Sequence, residues 1–392
     1  MASRGFWDRF LDMLFGEGAH PEAERPVLGA PMLSNWLPYR SYDKKSRMFV
    51  NTESLGFILE LAPMMGADER SGEILTQFLS DAVPSGCEIQ LIHWQSPSVG
   101  ERIADWVMPR VVAKGVYGRA AMHRARWLRR AAWMSISRDA PFYLRNTRVI
   151  LSIGARLSGP IGADVLVSVR ESLMGTLQSL SIPARDMGPV ELIAFLDDFL
   201  CPAVDNADRP EHYSELDPIN VQCVRRDLET QVTPDRIVLH TERFRPTGEN
   251  QDGAPVIGEV VPDKFDWRFF SVRNLPKQWA PWDVQKIIGD VINDKLRFGC
   301  NVMTVLALVY QDEEAVASRA GLKVMRTTSL ADSRSARFLP QLSEQRDEWQ
   351  YVQAEIRQGR KLAQVYYGVG ALSPLGKGDI NERMVKSVYK AC

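Results

Sequence analysis

The stretch Leu37–Gln95, LPYRSYDKKSRMFVNTESLGFILELAPMMGADERSGEILTQFLSDAVPSGCEIQLIHWQ, decides the fold. Met48–Val50 reads as a short strand, Gly56–Ala62 as an apolar strand, Asp68–Ala82 as a helix and Glu88–Trp94 as a further strand. Strand, helix and strand in succession point to a sheet backed by helices, not to a helical bundle.

Working outward, Gly100–Ser137 reads as a long helical region whose first part carries Ile103, Trp106, Val107, Val111, Val112 and Val116 as one apolar stripe. Thr147–Leu157 alternates as a strand and ends at the turn Ser158-Gly159-Pro160. Ala163–Leu180 repeats Val165, Val169, Leu173, Leu177 and Leu180 at helical spacing, Pro183 closes that helix, and another runs over Pro189–Leu200. Helices over one face of a sheet are the expected packing. Residues 202–262 are rich in Asp, Asn, Pro and Gly, with a strand at Arg236–Arg243 and a loop at Arg245–Pro255, and form a soft boundary. Beyond it come a strand at Trp267–Val272, a turn at Pro281-Trp282, a helix from Asp283, its cap, to Arg297, and a strand at Val302–Val309. A helix at Asp312–Ala320, a polar helix at Glu344–Arg357, a strand at Lys361–Ala371 and a helix at Asp379–Lys390 complete the series. The expected class is therefore α/β, or mixed α+β, with sheet layers covered by helices. Two related strand-helix-strand halves, residues 29–201 and 263–392, flank the loop-rich connection, although no residue-level repeat is visible.

The chain has 392 residues, 45% apolar and 25% charged, which suits a folded protein large enough for two domains or one composite. Its net charge of −1 provides no global attraction to nucleic acid or acidic lipid, so such contacts must come from local patches. Cys87, Cys201, Cys223, Cys300 and Cys392 are scattered and form no CxxC pair, and the five histidines are equally dispersed. Neither a zinc site nor a disulfide framework is expected. The amino terminus lacks the pattern of a secretory signal, and the apolar runs fall short of the ~20 residues that span a bilayer.

Two segments are candidates for docking. Phe6, Trp7, Phe10, Leu11, Leu14 and Phe15 fall on one side of a short amino-terminal helix, opposite Arg4, Asp8, Arg9 and Asp12, and a Gly/Pro-rich tether over Gly16–Pro31 follows, so that residues 1–28 read as an arm. Such a helix lies in a membrane interface, docks in a partner's groove or packs on its own domain. Few basic residues on its polar face favour a protein partner over bare lipid. The second segment, RAAMHRARWLRRAAW from Arg119, sets Arg119, His123, Arg124, Arg126, Arg129 and Arg130 beside Trp127 and Trp133. Guanidinium groups pair bidentately with phosphate, and Trp suits an interface or a stacked base. A solvated helix face is the alternative; for a functional one, acidic lipid or an acidic partner subunit is expected and DNA contact is not.

No phosphate-binding loop of the form GxxxxGK[S/T] occurs. Its nearest imitation, Gly370-Ala-Leu-Ser-Pro-Leu-Gly376-Lys377-Gly378, has five residues between the glycines and no hydroxyl after Lys377, and reads as a turn before the last helix. Two apolar runs ending in acids, LIAFLDD (Leu192–Asp198) and VLALVYQDE (Val305–Glu313), imitate the strand that supplies a magnesium-positioning carboxylate. The first reads as an amphipathic helix with exposed acids. The second is a buried strand whose acids Asp312, Glu313 and Glu314 open the next helix. No catalytic, cofactor-binding or metal-binding residue is assigned.

The order and wording of Leu37–Gln95, and to a lesser degree of residues 281–314, resemble the amino-terminal region of TraC, the pilus-assembly ATPase family of F-type conjugative type IV secretion systems. That resemblance implies a protein at the cytoplasmic face of the bacterial inner membrane that energises pilus assembly and DNA transfer. In such proteins a carboxy-terminal motor domain binds ATP and magnesium, while the amino-terminal part docks to inner-membrane channel subunits. It implies further that this chain is the amino-terminal half, with the motor outside it and no ATP hydrolysis of its own. Docking and self-association are then its expected roles, with an acidic lipid surface as a further contact. Two rivals stand beside this reading: a metal-dependent hydrolase or nuclease built on acids such as Asp197, Asp198 and Asp205, and a nucleic-acid module built on Arg126, Arg129 and Arg130.

Overall fold

The computed structural model describes residues 32–64, 66, 68–112, 114–138, 141–202, 209–241, 248–249, 255–256, 264–272, 287–290, 296–311, 313–331, 341–358 and 361–390. In chain order these form α1 (Leu33–Trp36), β1 (Tyr39–Asp43), β2 (Met48–Asn51), β3 (Ser54–Leu61), α2 (Glu69–Asp81), β4 (Cys87–Ser96), α3 (Gly100–Val112), α4 (Gly115–Arg130), β5 (Asn146–Arg156), α5 (Ala163–Ser179), β6 (Ala184–Asp186), α6 (Pro189–Leu200) and α7 (Ile219–Gln222). There follow β7 (Leu228–Val232), β8 (Ile237–Thr241), β9 (Lys264–Ser271), β10 (Asn301–Tyr310), α8 (Glu313–Ala331), α9 (Gln341–Arg357), β11 (Ala363–Pro374) and α10 (Gly378–Lys390). A short pairing of Gly248–Glu249 with Pro255–Val256 stands apart from the main sheet.

Eleven strands make one antiparallel sheet in the order β1-β2-β3-β5-β4-β10-β11-β9-β8-β7, and β6 pairs beside β2 along β3. This order is a palindrome in chain position: β1 to β5 correspond in turn to β7 to β11. Its centre is the β4–β10 pair, where Trp94 faces Met303 and Glu88 faces Val309 in antiparallel register. A topological twofold normal to the sheet at this pair matches α3–α4 with α8–α9, and α5 with α10. The two expected halves thus share a single sheet, and β7 and β8 from the loop-rich connection belong to the second.

Both faces of the central strands are buried, so their sequences are apolar runs with weak alternation. On one face Phe57, Leu59, Ile89, Ile153 and Ala155 pack under α2 and α5 through Phe78, Leu166, Val169, Leu173 and Leu177. In the second half, Val302, Val369 and Ala371 meet Val385 and Val388 of α10. The other face receives α6 and α7, which set Leu192, Ile193, Phe195, Leu200 and Ile219 against Ile58, Trp94, Ile150, Trp267 and Met303. Helices over one face only is therefore corrected to helices over both. Across this second face runs an aromatic series in which Trp94–Trp267, Phe199–Trp267 and Trp267–Phe269 have centroids 5.4, 4.4 and 5.6 Å apart. Gly370 makes room for it, because a Cβ there would lie 2.9 Å from the Trp267 ring and 3.0 Å from that of Phe269.

Several local expectations also change. The run Gly370–Pro374 continues β11, and the turn is confined to Leu375-Gly376, where Gly376 has φ 90°. The helix expected at Asp312–Ala320 extends to Ala331. The short elements β1, β6, β7, α1 and α7 are additions; β6, α1 and α7 are held by neighbours distant in sequence, whereas β1 and β7 pair with the adjacent strands β2 and β8. Most of the helix expected at Asp283–Arg297 lies outside the described residues.

Candidate docking surface

Adjacent antiparallel strands need only a tight turn to join them. Here β4 and β5 pair from Cys87–Ala155 to Ser96–Asn146, yet residues 97–145 leave the sheet between them as the helical hairpin α3–α4. The expected long helical region divides into two helices, because the chain reverses at Lys114 (φ 55°) and Gly115 (φ 68°). This reversal splits the apolar stripe. Ile103 and Val107 are buried against Ala121 and Ala125 of α4, whereas Val112 and Val116 are left exposed at the tip. Gly118 faces α3 with no side chain, which lets the two helices approach closely.

Both feet of the hairpin are fixed by buried polar chemistry. At the β4 end, Asp198 of α6 accepts from Trp94 Nε1 at 2.9 Å, Ser96 Oγ at 2.9 Å and Arg209 Nη2 at 3.0 Å. Arg209 also donates to Asp197 at 2.9 Å and to Ser98 Oγ at 2.7 Å, and Arg225 lies 3.5 Å from Asp197. The acids expected on the exposed face of this helix are therefore buried, Asp197 being 1% and Asp198 3% accessible. Burial pushes the Asp197 carboxyl up and the two arginines pull it back. Beside them Glu60 bonds Arg148 at 2.8 Å and Arg185 at 2.5 Å. At the β5 end, Arg145 Nη1 donates to Ala132 O at 2.6 Å, Leu144 N donates to Ala131 O at 2.9 Å, and Trp133 packs on Phe265 with centroids 5.3 Å apart. Burial lowers Arg145 to about 10.

With their lone pairs committed to two arginines, a tryptophan and a serine, Asp197 and Asp198 are structural ligands of the fold, not an acidic pair open to a cation. Asp205 lies outside the described residues. Among the described residues no group of three or more His, Cys, Asp or Glu side chains is placed to hold a metal ion. No described helix is long and apolar enough to cross a membrane. Cys87, Cys201, Cys223 and Cys300 are buried free thiols.

Of the expected docking residues, the arm residues Phe6, Trp7, Phe10, Leu11, Leu14 and Phe15 lie outside the described residues. The basic segment is α4. Arg119, Arg124 and Arg130 are exposed, and Arg126 and Arg129 are half-buried. Arg124 and Arg110 lie over the Trp106 ring at 5.8 and 4.4 Å. Trp127 is 52% accessible, while Trp133 is drawn into the core. The contribution of Arg209 and Arg225 was not legible, because nothing in their neighbourhood of sequence marks them as partners of Asp197 and Asp198. Tyr117, exposed beside Val116 at the tip, is a further surface residue that the apolar stripe concealed.

A family model described as TraC protein matches residues 33–392. Protein TraC of Escherichia coli strain K12 is 25% identical over 350 residues, which cover 86% of this chain and 38% of that relative. The chain thus spans about two fifths of the length of the curated relative it matches. Since the match runs from α1 through the whole sheet to α10, the chain belongs to the TraC protein family and is a component of conjugative type IV secretion.

Proposed function

We propose that this chain is the docking and oligomerisation part of a TraC-family protein, held at the cytoplasmic face of the inner membrane against channel subunits of the secretion system. One observation carries the reading: a helical hairpin inserted where the sheet needs only a turn, its exposed arginines outward, one foot locked by buried ion pairs and the other by hydrogen bonds to backbone carbonyls. A rigid platform that projects helices is suited to binding neighbours. ATP turnover is assigned to a region outside this chain, because no phosphate-binding loop occurs in its sequence. Of the acids named for the rival hydrolase reading, Asp197 and Asp198 are taken up by Arg209 and Arg225.

The test is retention of the purified chain, with and without residues 1–28, on detergent-solubilised inner-membrane channel subunits, with sedimentation velocity for self-association. Retention of the full chain is expected. Loss on removing residues 1–28 assigns the contact to the arm, and equal retention assigns it to the platform. Retention of neither form refutes the reading.

A further inference from the structure

The topological twofold supplies an internal control for the charge of the first hairpin. Residues 97–145 carry ten Lys and Arg against three Asp and Glu, whereas the matching excursion, residues 311–362, carries nine against eight. Both hairpins occupy the same place in the plan, so the surplus on the first is not something the fold requires. Between Asp105 and Asp139 there is no carboxylate at all, and eight cations fall in that interval. Arg119, Arg124, Arg126 and Arg130 have no ion-pair partner among the described residues.

The outward face of α4 has a definite layout. At 3.6 residues per turn Val116, Ala120 and Trp127 fall on one line, with the exposed His123 and then Arg130, Arg119 and Arg126 along one side of it and Tyr117 and Arg124 along the other. Val116 and Tyr117 are 69% and 84% accessible, and at the turn Met108 and Val112 of α3 are exposed as well. A soluble helix face does not need an apolar line of this kind beside a row of arginines. Duplex nucleic acid would satisfy the arginines but offers nothing to Val116, Met108 and Val112. The surface of an anionic bilayer satisfies both, with phosphates at the height of the guanidinium groups, acyl chains under the apolar line, and Trp and Tyr at the boundary.

We infer that α4 lies flat on an anionic phospholipid surface, with Val116, Ala120 and Trp127 in the headgroup boundary and Arg119, Arg124, Arg126 and Arg130 on lipid phosphate. The inference rests on the docking reading above and names a lipid contact of the platform, separate from its protein partners. It is tested by co-sedimentation of the full chain with vesicles of phosphatidylcholine alone and of phosphatidylcholine mixed with phosphatidylglycerol, across a salt series. Binding to the mixed vesicles only, weakening with salt, is expected. The variant Arg119→Glu/Arg130→Glu, changed at two exposed positions, is expected to bind them at least roughly thirtyfold more weakly, since each cation near such a surface contributes about fivefold. Val116→Ser/Trp127→Ser is expected to weaken binding while keeping its salt dependence. Thermal melts identical to the parent show that the variants fold. Equal sedimentation with both vesicle types, no sedimentation with either, or capture of duplex DNA in preference to mixed vesicles overturns the inference. Because the retention assay is run in detergent with no vesicles, loss of lipid binding and loss of the docking reading are read separately.

Discussion

Glu88 on β4 faces an apolar groove of about 190 Å³ between the sheet and α6, lined by Phe57, Ile58, Phe195 and Trp267. Burial pushes its carboxyl up from 4.5 to about 7, and Arg156, 3.9 Å away, opposes this only in part. Below 4.5 the group is protonated in both states. As pH rises from 4.5 to 7 the unfolded chain releases its proton first, so stability is lost through that window and the loss is complete above 7. At about 1.36 kcal/mol per pH unit, the displacement amounts to about 3 kcal/mol. Glu88→Gln keeps the volume and removes the charge. Urea unfolding of parent and variant across this range is the assay, and the quantity read is the difference between them. It should be flat below 4.5 and climb in favour of the variant to about 3 kcal/mol above pH 7. His93, on the opposite face of the same strand, is pushed down to about 4 by burial and therefore costs stability as pH falls from 6.5. The two slopes oppose each other in the parent, so Glu88→Gln leaves that of His93 uncovered. Parallel pH profiles for parent and variant would refute the argument.

Asp198→Ala removes three hydrogen-bond acceptances and weakens the hold on a buried Arg209; a loss of about 3 to 5 kcal/mol in chemical denaturation is expected. Gly56→Ala would drive a Cβ to 2.6 Å from Ile153 O and 2.8 Å from Gly154 Cα across the β3–β5 pair, and should lower stability by about 1 to 3 kcal/mol in the same measurement. Arg268 gathers Asp266, Asp379 and Glu382 and so clamps the start of α10 to β9; Arg268→Ala should speed amide exchange in α10 while α5 keeps its protection. The purified chain should show no magnesium-dependent ATP turnover above that of a mock preparation, and turnover that survives removal of contaminants would move the motor into this chain.

Local order was legible wherever one element could be read from its own period. The helices over residues 68–82, 163–180 and 189–200 and the strands around Gly56–Ala62, Glu88–Trp94 and Thr147–Leu157 were placed to within a few residues, because spacing and Pro or Gly punctuation are properties of a short window. Val112 and Val116 show the limit. Their spacing fits the stripe begun by Ile103, but a reversal at Lys114-Gly115 turned a buried face into an exposed tip. Asp197 and Asp198 show the converse, since two acids at the end of an amphipathic helix read as solvated until Arg209 and Arg225 are brought against them.

By itself, then, the sequence determined the kinds of element, their order, the absence of a phosphate-binding loop and the charge carried by residues 106–138, all of which are properties of neighbours along the chain. Tertiary structure alone decided the palindromic sheet, the burial of Asp197 and Asp198, and the outward presentation of Arg119, Trp127 and Arg130. The physical reason is that burial and strand pairing depend on partners far along the chain. Trp94 and Asp198, or β4 and β10, find each other through packing and hydrogen bonds that no local pattern encodes.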